Sequence, residues 1–155
     1  MKNRKLAEMF LCKAIQDMIV LEKWRQDPDI AEEILGFHAQ QTAEKMLKAV
    51  LAYQGIEVPF THRLTDLIDL GKKHGIILPE KLEDIRFLTP FAVEFRYDIY
   101  QEEEEPVDFD GIFVLLIELH KWVNTIICEG KEVSKSNLDY GIQLTNMEEK
   151  KKTVE

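Results

Sequence analysis

The sequence predicts an all-α protein, an up-and-down helical bundle. Three observations carry this. No stretch alternates apolar and polar residues as a half-buried strand would. The apolar residues recur at helical spacing over segments long enough to cross a small domain. The connections between those segments are short, which favours antiparallel neighbours.

The first helix is expected from about Lys5 to Arg25, with Leu6, Met9, Phe10, Lys13, Ala14, Asp17 and Leu21 near one face. Asp27-Pro28-Asp29 stops it, because proline disfavours a helical residue before it and suits a first turn after it. The second runs from about Ile30 to Gln54. Its apolar residues nearly encircle it, so it belongs at the centre of the bundle. Gly36 is its weak point, and Gly55 is a natural C-terminal cap. Thr61 or His62 is placed to cap a short helix carrying Leu64, Leu67, Ile68 and Leu70, with Gly71 and Gly75 at its end. Pro79-Glu80 opens another helix, which Thr89-Pro90 breaks or kinks. Phe91, Ala92, Phe95 and Ile99 then share a face before an acidic loop containing Pro106. The last helix, about Asp108 to Cys128, has the cleanest stripe: Phe109, Ile112, Phe113, Leu116, Leu119, Val123, Ile126 and Ile127. Gly130 ends it. The bundle is therefore expected over residues 1–130, and residues 131–155 read as a flexible or loosely packed C-terminal tail.

At 155 residues, 45% apolar and 32% charged, the chain suits one globular domain. No apolar run approaches the roughly 18 residues of a membrane span, and charges interrupt the start, so neither membrane nor signal segment is expected. Cys12 and Cys128 sit in apolar helical patterns and read as buried thiols in a reducing, cytoplasmic setting. No Cys or His spacing suggests zinc, and no metal is expected. The net charge of −9 argues against binding a nucleic-acid backbone. It is also uneven: residues 94–110 hold eight acids against Arg96 alone, a local sum of −7. The run Glu102 to Glu105 reads as a solvated loop rather than a cation site.

The most informative stretch is Phe37 to Ala49. His38, Gln41, Lys45 and Lys48 recur at spacings of three, four and three, within an arc of roughly 80° on a helix at about 100° per residue. Polar groups set into a core-forming helix need partners or a ligand. Functionally, the two lysines would meet a nucleotide phosphate or a partner carboxylate, with His38 and Gln41 bonding nearby. Structurally, His38 and Gln41 would satisfy buried neighbours while the lysines snorkel to water. Arg96 offers a planar fork suited to phosphate, or an ion pair with its acidic neighbours. Tyr97 would stack on a base or close the edge of the core. His62 reads as a cap or backbone partner, His74 as charge near a helix C-terminus, and His120 as a satisfied core-edge group. No residue set has the spacing of a di-iron bundle, a phosphate loop or a His-Glu-x-x-His site.

The run His38-Ala39-Gln40-Gln41-Thr42-Ala43-Glu44-Lys45, followed by Gly55, Thr61-His62-Arg63-Leu64, Leu67-Ile68 and Arg96-Tyr97, resembles the HEPN family in order and spacing. The resemblance covers roughly residues 5–130. It implies four main helices plus a short one, a homodimer, and a minimal nucleotidyltransferase partner, often in a toxin–antitoxin pair. Nuclease members of the family carry a His a turn or more after the Arg. Here Arg96 is followed by Tyr97-Asp98-Ile99-Tyr100-Gln101-Glu102-Glu103, so the resemblance implies the non-nuclease Arg-Tyr branch, although Asp98 stands where that branch has Pro. The expectation is a non-catalytic domain binding a nucleotide such as ATP, or a partner, through His38, Gln41, Lys45, Lys48, Arg96 and Tyr97. An RNase toxin with an atypical site and a structural dimerisation module are the alternatives.

Overall fold

The computed structural model describes residues 2–92 and 105–128. In chain order they form α1 (Arg4–Trp24), α2 (Glu32–Tyr53), α3 (Leu64–Lys73), a 3₁₀ helix (Glu80–Phe91) and α4 (Phe109–Ile127). No strand occurs among the described residues. The expected tail at 131–155 lies outside them.

α2 is the central element, packed against α1, α3, α4 and the 3₁₀ helix. Its near-complete apolar girdle is the reason: Leu35, Ala39, Ala43, Met46, Val50 and Leu51 are all buried. The small residues among them let neighbouring backbones approach closely. α1 packs most extensively on α2. Its buried face is Ala7, Leu11, Ala14, Met18 and Leu21, so the face is rotated from the one expected: Met9 and Lys13 point outward. Arg25, just past α1, donates Nε–H to Asp110 of α4 at 2.9 Å and stacks 4.5 Å over the Phe113 ring, pinning the two helix ends together.

The helix ends follow from local chemistry. Asn3 and Asp108 cap α1 and α4 by accepting the backbone N–H of Leu6 and Gly111. α2 begins at Glu32, two residues later than expected. Asp27 Oδ1 accepts the Asp29 N–H and the Asp27 carbonyl accepts the Ile30 N–H, which holds that stretch as a turn. α2 ends at Gly55 (φ 76°), where Ile56 N–H reaches the Leu51 carbonyl and Gly55 N–H the Ala52 carbonyl. Gly75 closes α3 in the same way.

Two expectations change here. Neither Thr61 nor His62 caps α3. Arg63 stands at the cap without a side-chain bond, and Thr89 Oγ1 accepts the Leu64 N–H at 3.3 Å from the far side. The segment after Pro79 is a 3₁₀ helix that runs through Pro90. Its apolar residues, Leu82, Ile85, Leu88 and Phe91, recur every three positions, and three residues per turn puts them on one line. Gly36 has its reason in this packing: the Phe91 ring lies against α2 where a Cβ would stand.

Candidate functional site

The polar stripe of α2 is held by two carboxylates, one from α1 and one from α2 itself. Asp17 sits among the buried residues of α1 and faces α2. Its Oδ1 meets His38 Nδ1 at 2.8 Å, and its Oδ2 accepts from Lys45 Nζ at 2.6 Å. Glu44 lies one turn before Lys48, whose Nζ donates to Oε1 at 2.7 Å. Gln40 and Gln41 donate to Glu44 Oε2 at 2.8 and 3.2 Å, and His62 Nδ1 reaches the same oxygen at 3.1 Å. Gln41 also donates to Gln40 Oε1, and Gln40 to the His62 carbonyl. The stripe is thus held in two networks, one joining α1 to α2 through Asp17 and one joining α2 to the segment Thr61–Arg63 through Glu44.

Glu44 is 4% exposed and Gln40 is fully enclosed. Burial pushes the Glu44 carboxyl pKa up, but the hydrogen bonds from Lys48, Gln40 and His62 outweigh it and hold the group below the usual carboxylate range. Glu44 is therefore ionised at neutral pH and neutralises Lys48, as Asp17 neutralises Lys45. The lysines do not snorkel into bulk water: their side chains are 23% (Lys45) and 11% (Lys48) exposed. The imidazoles are the open edge, at 26% for His38 and 50% for His62.

Sequence reasoning placed His38, Gln41, Lys45 and Lys48 together, and the structure divides them between the two carboxylates: His38 and Lys45 on Asp17, Gln41 and Lys48 on Glu44. It did not single out Asp17, Gln40, Glu44 or His62 as site residues. The signal for Glu44 was its i,i+4 spacing to Lys48. Nothing local marked Asp17 or His62, which lie 28 positions from Lys45 and 18 from Glu44. Arg96 and Tyr97 lie outside the described residues, as do Glu102, Glu103 and Glu104 of the acidic run expected from Glu102 to Glu105.

A family model described as HEPN domain matches residues 7–126. The chain belongs to the HEPN domain family. No significant match was found among curated proteins or among solved structures. In this HEPN domain a cleft of about 710 Å³ lies between the 3₁₀ helix and α4, with Lys81, Phe87, Leu88, Phe91, Ile112 and Leu115 among its lining residues. No stripe residue lines it.

The remaining sequence readings divide. His74 caps α3, with Nδ1 donating to the Leu70 carbonyl at 3.0 Å. His120 is buried on α4 beside Asn124 (3.3 Å), and burial pushes its pKa down to about 4, so it is neutral at pH 7. Cys12 is exposed and Cys128 half-buried, which corrects the expectation of two buried thiols: Cys12 lies off the rotated core face of α1. No helix among the described residues is long and apolar enough to cross a membrane, and no group of three or more His, Cys, Asp or Glu is placed to hold a metal ion among them.

Proposed function

We propose that this HEPN domain is a non-catalytic cytoplasmic binding module whose α2 face takes a nucleotide such as ATP, or a minimal nucleotidyltransferase partner. The observation that carries the reading is that Asp17 and Glu44 fix the orientation of His38, Lys45, Lys48 and His62 at a partly open edge. A site whose side chains are held before the ligand arrives loses less entropy on binding. Because each ammonium group is paired with a carboxylate, recognition rests on directed hydrogen bonds from imidazole and amide rather than on bare positive charge. The same neutralisation disfavours an RNA backbone and argues against the RNase reading. Arg96 and Tyr97 belong to the proposal as the further residues that the family motif contributes, and action within a toxin–antitoxin pair is its biological setting. The domain acts as a homodimer in this reading, with a dimeric mass in light scattering at micromolar concentration as the expected result.

Calorimetric titration with ATP and other nucleotides, on wild type and Lys45→Ala, tests the site. Saturable heat in wild type, weakened in the variant, is expected. No heat in wild type, together with unchanged capture of a nucleotidyltransferase partner by Lys45→Ala, would overturn it.

A further inference from the structure

Asp17 and Glu44 are built alike. Each carboxylate holds one imidazole Nδ1 and one lysine Nζ: His38 and Lys45 on Asp17, His62 and Lys48 on Glu44. Two carboxylates against two ammonium groups leave the face with no net charge while the imidazoles are neutral. The charged groups facing His38 are Asp17 from α1 and Lys45 from α2. Those facing His62 are Glu44 and Lys48 from α2, with Arg63 and Asp66 following along its own segment. Imidazole is the one side chain here whose ordinary charge change falls between about pH 5 and 8.

The geometry also says where the added proton goes. With Nδ1–H donated to the carboxylate, the ring nitrogen that gains a proton is Nε2, on the opposite side of the ring. Protonation therefore converts an acceptor into a donor and adds the positive charge that the paired lysines do not supply.

We propose that the α2 face takes up protons at His38 and His62 when it binds a phosphate-bearing ligand, so that the carboxylate–imidazole–lysine pairs make binding proton-coupled. This rests on the reading above that the α2 face is the ligand site.

The test uses ATP with wild type and with H38N/H62N. Asparagine keeps a donor near the Nδ1 position and removes the titrating nitrogen. Calorimetric titrations at pH 5.5 and 8 are expected to show ATP binding to wild type at least about tenfold tighter at the lower pH, beyond any change in the double variant. Titration of the ATP phosphates is common to both proteins and drops out of that comparison. Independently of any variant, proton NMR of the imidazole Hε1 signals should show both histidines titrating at higher pH with ATP bound than without it. Equal pH profiles for the two proteins, or histidine titrations unmoved by bound ATP, would overturn the coupling and leave the site reading standing. No binding at either pH would overturn both.

Discussion

Glu44 and His62, eighteen positions apart, meet at 3.1 Å, and through that contact the turn leading into α3 is tied to the middle of α2. Glu44 accepts from Lys48, Gln40 and Gln41 at the same time. A buried carboxylate with this many donors is ionised, and its removal leaves Lys48 enclosed without a counter-charge. Breaking a buried pair in this way costs about 3 kcal/mol or more. Glu44→Gln should therefore lower stability by about that amount in urea denaturation. Glu44→Gln combined with Lys48→Met should lose clearly less than the single variant, since no unpaired charge remains. A double variant that loses more would show that the pair is not coupled as described.

Acid should destabilise the fold in two windows. His120 is held neutral by burial, with its pKa pushed from 6.5 down to about 4. Between those values the unfolded chain binds a proton that the folded chain does not, so stability falls as pH drops from about 6.5 to about 4. The full effect is of order 3 kcal/mol. Glu44 has the opposite charge type and a lowered pKa, so its contribution is present above its unfolded value of 4.5 and is lost below it. Urea midpoints of wild type and His120→Leu between pH 7 and 3 separate the two. The variant should lose the upper window and keep the lower one.

Gly36 and Phe91 should behave as a coupled pair. A Cβ at position 36 would run into the Phe91 ring, so Gly36→Ala should cost about 1 kcal/mol net, overpacking outweighing the gain in helix propensity. In a Phe91→Ala background the same change should instead stabilise by up to about 1 kcal/mol. A change of the same sign in both backgrounds, measured by thermal or urea unfolding, would show that the Phe91 ring is not what excludes a side chain at position 36.

Asp108→Ala removes the side chain that accepts the Gly111 N–H at 2.9 Å. Loss of an N-terminal cap costs about 1 kcal/mol. Because the N-terminus of α4 also receives Arg25 through Asp110, hydrogen exchange should quicken in the first turn of α4 while its centre near Leu116 and Leu119 stays protected.

The helical bundle was legible because burial writes itself into spacing. α2 reads as central from its apolar girdle, and Gly55 reads as its end because a left-handed residue is needed there. The 3₁₀ helix was legible in principle from the three-residue period of Leu82, Ile85, Leu88 and Phe91, a pattern easily taken for an α-helix cut short by proline. Half of the site was legible too, since His38, Gln41, Lys45 and Lys48 lie on one strip of one helix. The other half was not. Asp17 reads as a polar interruption of α1 until α1 is laid against α2, and His62 reads as a cap until the turn folds back onto Glu44. Contacts between elements leave no local period. The face of α1 was misread for a related reason: Met9 is apolar yet exposed, and it drew the predicted stripe away from Ala7 and Leu11.

In the proposed function, the α2 face is where this HEPN domain meets its ligand. Titrating ATP into ¹⁵N-labelled protein and following amide and imidazole signals tests it directly. Shifts are expected to concentrate at His38, Gln41, Lys45, Lys48 and His62. Shifts confined instead to the Phe87–Ile112 cleft, or no shifts at millimolar ATP, would contradict it.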